Sequence, residues 1–243
     1  MHFLSNCFRG LYSIAFALCV IGSCLNGVQA QSVHDAGQWS SLNLQGDLKF
    51  DGSDHSRIKW WFDGHMRLFD DADGYGQSIV RPAIGYKLRD NVTVWLGYGW
   101  INETNVAGNN FDENRIFQQL IWTRKFQQIN FQSRTRLEQR FVETGNDMGW
   151  RFRQFNKFLR PFEFNPQLSA ILWNEAFIDL NQTDWGQAGT FSQNRLFSGF
   201  GWTLEQYANQ PRVEIGYMHQ FIRRPGADDT HNHVLGINWF ANF

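Results

Sequence analysis

The chain has 243 residues, 22 Lys and Arg against 23 Asp and Glu, a formal net charge of −1, and a mean hydropathy of −0.44. This balance argues against a nucleic-acid-binding protein, which would need a basic surface. After residue 30, no apolar run approaches the ~20 residues of a membrane-spanning helix. A membrane protein with this sequence would therefore be a barrel, because only helices and closed barrels satisfy backbone polar groups in lipid.

Residues 1–30 have the composition of a secretory signal peptide. An apolar stretch follows Arg9, and Val28-Gln29-Ala30 offers a cleavage site before Gln31. The alternative is a lipobox, Ile21-Gly22-Ser23-Cys24, which would lipidate its cysteine. All three cysteines lie in this segment. The mature chain, residues 31–243, is therefore predicted to be a single barrel domain without disulfides or thiolate chemistry.

The mature chain alternates apolar and polar residues with a period of two, which predicts strands with two different faces. In one segment Ile58, Trp60 and Phe62 share a face, and Lys59 and Asp63 lie on the other. Eleven strands are predicted, at Trp39–Phe50, Arg57–Phe69, Gln77–Leu88, Val92–Ile101, Asn114–Phe126, Gln128–Phe141, Trp150–Leu159, Leu168–Asp179, Ser192–Leu204, Arg212–Ile222 and Asn232–Phe243.

Tight connections alternate with longer ones rich in Asp, Asn and Gly, as in barrels with short periplasmic turns and longer external loops. The aromatic content of 16% matches the aromatic girdles of such barrels. We therefore predict an all-β fold, a transmembrane antiparallel up-and-down barrel of ten to twelve strands. Because bacterial single-chain barrels have an even number of strands, we expect one of the eleven to be misread, most naturally within residues 31–57.

The carboxy-terminal strand alternates in the same way and ends on Phe243. Outer-membrane barrels typically close on a strand with an aromatic end, which the barrel-assembly machinery reads. The expected location is therefore the bacterial outer membrane. The expected partners are its lipid and lipopolysaccharide, the assembly machinery acting on Phe243, and small solutes.

Six segments together resemble a family of small bacterial outer-membrane barrels known only as a domain of unknown function, DUF 2490. They begin, in chain order, at Phe111 (FDENRIFQQ), Arg134 (RTRLEQRF), Trp150 (WRFR), Leu172 (LWNEAF), Gln193 (QNRLFSG) and Val213 (VEIGYMHQ). The resemblance covers nearly all of the mature chain. It implies the fold and the location, but it implies no catalytic residue, because the family has no established activity.

The strand phase turns a dense set of polar and charged side chains inward: Arg134, Arg136, Glu138, Arg140, Arg151, Arg153, Glu175, Asn194, Arg195 and Glu214. One interpretation is a salt-bridge network that fills a small barrel. The other is an arginine-lined constriction that selects anionic solutes. Because three arginines surround Glu138 in the sequence, the paired version is favoured. The function predicted is that of a narrow pore or a surface-structural protein.

A second set of residues lies in the predicted external loops. Asp71 and Asp73 form an Asp-x-Asp pair, and Asp229 and His231 form an Asp-x-His pair. Such pairs can activate water, because a carboxylate orients the imidazole that takes the proton. They define the alternative function, an outer-membrane protease or lipase with a site at the rim. His231 and His233 share a strand face, but two ligands do not make a metal site, so neither a metal nor a cofactor is predicted.

Overall fold

A computed structural model describes residues 33–49, 56–69, 74–104 and 108–243. The predicted signal peptide with Cys24, the end of the first predicted strand, and Asp71 and Asp73 lie outside these residues. The strands are β1 (Val33–Asp47), β2 (Ile58–Phe69), β3 (Gly74–Arg89), β4 (Val92–Thr104), β5 (Asn110–Phe126), β6 (Ile129–Val142), β7 (Gly149–Pro161), β8 (Leu168–Asp179), β9 (Phe191–Thr203), β10 (Arg212–Ile222) and β11 (Thr230–Asn242). Within the described ranges, no helix is long and apolar enough to cross a membrane.

The strands form one closed barrel in which each strand pairs with its neighbour in the chain, and β1 pairs with β11. All eleven predicted strands are present, so the prediction of an all-β closed barrel with ten to twelve strands is confirmed. The expectation of an even number is wrong. With an odd number, the first and last strands run in the same direction, so they close the barrel as a parallel pair. That pair extends in register from Val33↔Thr230 to Gln45↔Asn242, whereas the ten other pairs are antiparallel.

Two rims follow from this order. We call the rim where β11 ends the carboxy-terminal rim. It carries connections 48–57, 90–91, 127–128, 162–167 and 204–211. The opposite rim, here called the loop rim, carries connections 70–73, 105–109, 143–148, 180–190 and 223–229. The connections fall on the two rims as predicted from the sequence. The predicted difference in length does not hold throughout, because connection 48–57 has ten residues and connection 70–73 has four.

The two faces of the wall have the reverse polarity of a water-soluble barrel. On the outside, Ile84 is 63% exposed and Leu96 is 60% exposed, whereas Arg136 and Glu138 on the inside are 1% and 0% exposed. The same division between an apolar outside and a charged inside explains the start of β7, where aromatic and charged residues alternate along the chain. Arg153 is buried in the lumen. Since successive side chains of a strand point to opposite faces, its neighbour Phe152 faces out.

One stripe of the outer face is polar. Asn174 and Asn194 join through their amides (2.9 Å), and Gln118 and Gln139 exchange two amide hydrogen bonds (3.1 and 3.0 Å). The inward position predicted for Asn194 is therefore wrong, because its neighbour Arg195 takes the inner face. The stripe satisfies its own donors and acceptors, which reduces the cost of removing it from water.

Aromatic residues share the lumen with the charges. Trp95, Phe117 and Ala83 form one buried cluster, and Phe197 is the centre of another with Trp39 and neighbouring aliphatic side chains. Rings thus pack against the wall from within the lumen.

Candidate functional site

The most densely paired group lies near the loop rim and is organised around Glu113 on β5. Its carboxylate accepts two hydrogen bonds from Arg115, both at 2.7 Å. Arg140, on the neighbouring strand β6, donates two more through Nε and Nη2. The side chain of Glu113 is 1% exposed. Two guanidinium groups therefore compensate one fully buried carboxylate, which is the condition for burying a charge at a tolerable cost.

Glu138 forms the second centre. Its Oε1 accepts from Arg153 Nη1 at 2.7 Å and from Arg136 Nη1 at 3.3 Å, and Arg115 Nη1 lies 3.8 Å from Oε2. Two of the three arginines nearest to Glu138 in the sequence are therefore not its main partners. Arg140 pairs with Glu113 instead, and Arg134 pairs with a carboxylate on β8.

The third centre is on β8. Glu175 Oε1 accepts from Arg134 Nη2 and from Arg153 Nη2, both at 2.7 Å, and Arg151 Nε donates to Asp179 at 2.7 Å. Arg153 bridges Glu138 and Glu175, so the pairs form one connected network. We call it the ion-paired plug. Its members are Glu113, Arg115, Arg134, Arg136, Glu138, Arg140, Arg151, Arg153, Glu175 and Asp179.

Contacts across the lumen join the plug to distant walls. The Arg136 guanidinium, on β6, lies 5.7 Å from the ring centroid of Trp61 on β2. Arg140 lies over Trp185 at 4.8 Å and reaches Gln187 Oε1 at 3.4 Å, and both partners belong to connection 180–190. Gln187 is buried. This connection therefore folds inward and covers the plug at the loop rim.

Below the plug, two predicted residues take separate positions. Glu214 on β10 accepts from Lys157 on β7 at 2.6 and 2.7 Å, which spans three strand intervals, and from Arg212 at 2.8 Å. Arg195 forms no ion pair with the described carboxylates and lies over the rings of Trp39 (4.8 Å) and Phe177 (4.7 Å). All nine charged residues predicted to face the lumen are on the inner face, eight of them within ion pairs.

Sequence reasoning missed five of the thirteen described residues in these ion pairs: Glu113, Arg115, Lys157, Asp179 and Arg212. A further ion pair, between Asp63 on β2 and Arg81 on β3, was also missed. The signal was present in β5, where every second residue from Glu113 onwards faces the lumen. The alternation in β5 was hard to recognise because Gln118 and Arg124, on the outer face, are polar as well.

Towards the carboxy-terminal rim the lumen opens into a cavity of about 710 Å³. We call it the lumen cavity. Residues at strand ends line its mouth, among them Gln45 and Asn242, together with Gln210 of connection 204–211. Arg134, Arg153 and Glu175 line its inner end, so the lower side of the plug forms the floor.

The residues of the alternative rim site do not come together in the described part of the chain. The Asp229 carboxylate accepts from the backbone N–H of Arg224 at 3.0 Å. His231 Nδ1 lies 3.1 Å from His219 Nε2 on the outer face, and its ring stacks on that of His34. No group of three or more described His, Cys, Asp or Glu side chains is arranged to hold a metal ion.

Fold and site together define a closed eleven-stranded β-barrel whose lumen holds paired charges and, towards its carboxy-terminal rim, a cavity. The chain belongs to the family described as Protein of unknown function (DUF2490), whose model matches residues 36–231. It is also 29% identical over 229 residues to an uncharacterised protein of Methylorubrum extorquens, covering 93% of this chain and 96% of that protein.

Proposed function

We propose that the protein is an integral β-barrel of the bacterial outer membrane whose lumen is closed to free diffusion, so that it acts as a structural barrel rather than an open pore. The observation that carries the membrane location is the outer face. Large apolar side chains there, from Trp100 at 36% to Phe200 at 65%, remain exposed around the wall. Apolar patches of this extent favour contact with lipid.

The distribution of aromatic side chains on the outer face supports the same location. Exposed rings are present towards both rims, as in the girdles of membrane barrels. Between them lie mostly aliphatic side chains, with the exposed rings of Tyr98 and Tyr217 near the middle of their strands. The exposed rings near the loop rim include Tyr75, Trp100 and Phe141, and those near the carboxy-terminal rim include Phe158, Trp202 and Trp239.

The ion-paired plug supports the closed lumen. An ion moving along the axis would have to separate pairs such as Glu113–Arg140 and displace connection 180–190, which Arg140 contacts through Trp185 and Gln187. Breaking a buried pair leaves an uncompensated charge, which costs several kcal/mol. The plug therefore opposes passive diffusion, and a porin-like role has less support than a structural one.

Two measurements test the proposal. Membranes of cells that produce the protein are extracted with alkaline carbonate, and the sample is run on a gel with and without boiling. We expect the protein to stay in the membrane fraction and to migrate faster unboiled. The purified protein is then added to planar bilayers, where we expect no conductance above background. Release by carbonate would contradict the membrane location. Steady anion-selective channels would contradict the closed lumen and would support a narrow pore instead.

We also propose that the carboxy-terminal strand presents Phe243 to the assembly machinery. The side chain is 60% exposed and packs beside Trp60, with ring centroids 5.8 Å apart. Phe243→Ala should lower the membrane-inserted, heat-modifiable fraction severalfold. Phe164→Ala removes a ring that is 80% exposed in connection 162–167 and should leave that fraction unchanged. Equal fractions for both variants would exclude Phe243 as the signal.

A further inference from the structure

The lumen cavity has a strong excess of positive charge. Eight basic side chains line it, against three carboxylates. The basic residues are Lys59, Arg67, Arg81, Arg134, Arg153, Lys157, Arg195 and Arg212, and the carboxylates are Asp63, Glu175 and Glu214. Six of the eight basic residues are ion-paired, and two of these pairs use carboxylates outside the lining, Asp47 with Lys59 and Glu138 with Arg153. The two that form no ion pair with the described carboxylates are Arg67 and Arg195. Unpaired charge is costly inside a protein, so this surplus would be relieved by an anion.

The surplus is concentrated at one place on the floor. Arg67 and Arg195 both lie over the ring of Trp39, at 4.0 and 4.8 Å. They are 8% and 9% exposed, and neither forms an ion pair with the described carboxylates. Arg67 Nη1 donates to the neutral amide of Gln77 at 2.5 Å. The two guanidinium groups thus line the cavity without a carboxylate at ion-pair distance among the described residues.

Unused hydrogen-bond donors lie in the same wall. The buried Trp39 Nε1, Arg67 Nε, Arg134 Nε and Trp95 Nε1 have no acceptor among the described residues. All four residues line the cavity. Buried donors normally find a partner, and in this cavity each of the four lacks an acceptor. A ligand rich in acceptor oxygens would correct both the charge and the hydrogen bonding.

The rest of the lining is aromatic. Rings of Trp61, Phe155, Trp173 and Phe240 line the path from the mouth at the carboxy-terminal rim to the floor. The volume of about 710 Å³ is in the range of pockets that enclose a small organic molecule. Such walls favour a flat or apolar body and offer little to a hydrated inorganic ion.

We infer that the lumen cavity is a binding site for one organic anion, whose carboxylate or phosphate group lies between Arg67 and Arg195 while its aromatic or apolar body packs against the tryptophans of the wall. Arginine suits the anionic group, because its fork of donors matches two oxygens. The ligand enters from the carboxy-terminal rim. The inference requires neither the membrane location nor the closed lumen, since binding is measured on the folded barrel in detergent.

The first test uses the unaltered protein, purified as the cell produces it, in a non-ionic detergent. Tryptophan fluorescence is titrated with naphthalene-2-carboxylate, 1-naphthyl phosphate and the neutral naphthalene-2-carboxamide. We expect saturable binding of an anion, about tenfold or more tighter than that of the carboxamide, because charge-assisted hydrogen bonds exceed neutral ones. The tighter of the two anions identifies the head group. Equal affinity for the carboxamide, or no saturable binding of either anion, would overturn the inference.

The second test locates the site. Arg195→Gln should weaken binding of the preferred anion about tenfold and reduce the difference between it and the carboxamide. Arg160→Gln removes an exposed guanidinium from β7 and should not change either affinity. Heat-modifiable migration confirms that each variant is folded. If Arg195→Gln is unfolded, Lys59→Gln at the mouth takes its place, with a smaller expected loss. Unchanged affinity in a folded variant would contradict the assignment.

Discussion

At the scale of single residues, the plug predicts that its carboxylates stabilise the barrel only as members of pairs. Glu113 receives four hydrogen bonds from Arg115 and Arg140. Glu113→Gln would leave the buried Arg140 guanidinium without its counter-charge, and Arg115 with only its longer contact to Glu138 at 3.8 Å. We expect a loss of about 3–5 kcal/mol in the free energy of unfolding, measured by urea titration in detergent.

The control for this prediction is Glu163→Gln, which changes the same side chain at an exposed position in connection 162–167. It should alter the free energy of unfolding by less than about 0.5 kcal/mol. If both variants lost the same small amount, the pairs around Glu113 would not contribute to stability.

The partners of these residues mark the limit of what the sequence could predict. Strand alternation is a local property, so it placed Glu138 and Arg140 on the inner face. Pairing depends on the register and tilt of neighbouring strands. Arg140 meets Glu113 because β6 pairs with β5 through Arg115↔Arg140 and Glu113↔Val142. Nothing within β6 alone encodes that register.

At the scale of strands, glycines create room for the rings inside the lumen. A Cβ added to Gly97 on β4 would lie 2.2 Å from Cζ of Phe117 on β5. Phe117 is 1% exposed and packs beneath the Arg136 guanidinium at 4.0 Å, so it has little space to move. Gly97→Ala should cost about 1–3 kcal/mol through overpacking, measured by urea titration.

Two further variants check that explanation. Phe117→Leu combined with Gly97→Ala should lose less than the sum of the single losses, because the residues are in contact. Gly64→Ala on β2 places its Cβ no closer than 3.8 Å to Phe62 and should cost little. Additive losses, or an equal loss at Gly64, would mean that the clash with Phe117 is not the cause.

Connections on the loop rim are joined by a carboxylate. Asp184 accepts from the backbone N–H groups of Asn146 (2.8 Å) and Asp147 (3.1 Å). These hydrogen bonds, with that from Asn146 first, lower the pKa of Asp184 below its ordinary value of 3.8. Because the folded-state pKa is the lower one, the contribution to stability is present above 3.8 and is lost as the pH falls through the depressed pKa.

Hydrogen exchange measures this directly. Protection factors of the Asn146 and Asp147 amides, corrected for intrinsic rates, should be constant above pH 3.8 and fall at lower pH. The Gly145 amide donates to the backbone carbonyl of Val142 at 3.2 Å and should keep its protection. A loss that began near neutral pH, or that included Gly145, would contradict the role of Asp184.

At the scale of the whole molecule, the periodicity of two predicted every strand but not the way in which the ring closes. The pattern defines which residues face in or out, and connections define the direction of each strand. Whether the first and last strands pair in parallel or antiparallel depends only on the number of strands. The rule that barrels have an even number of strands therefore led to the wrong expectation. β1 also begins at Val33, before its predicted start at Trp39, because the added residues pair with the start of β11.

The parallel seam between β1 and β11 therefore gives the most direct test of the architecture. Ser40 and Ile237 are Cα partners across it, and both alternate with lumen-facing neighbours, so both point outward. Paired strands lie ~4.8 Å apart, within the range that a disulfide bridges. Residues 31–243 contain no cysteine. Ser40→Cys combined with Ile237→Cys should thus oxidise to an intramolecular disulfide, seen as linked peptides by mass spectrometry and as faster migration on a denaturing, non-reducing gel.

The matched control pairs Ser40→Cys with Ile215→Cys, because Ile215 is the β10 partner of Ile237. It lies two strand intervals from Ser40, ~9.6 Å, which exceeds the reach of a disulfide. This variant should stay reduced in the folded barrel. A barrel closed by only ten strands would leave out β1 or β11, and then the Ser40–Ile237 pair would stay reduced as well. Since an antiparallel closure requires an even count, the oxidation of that pair alone establishes that eleven strands meet in a parallel seam.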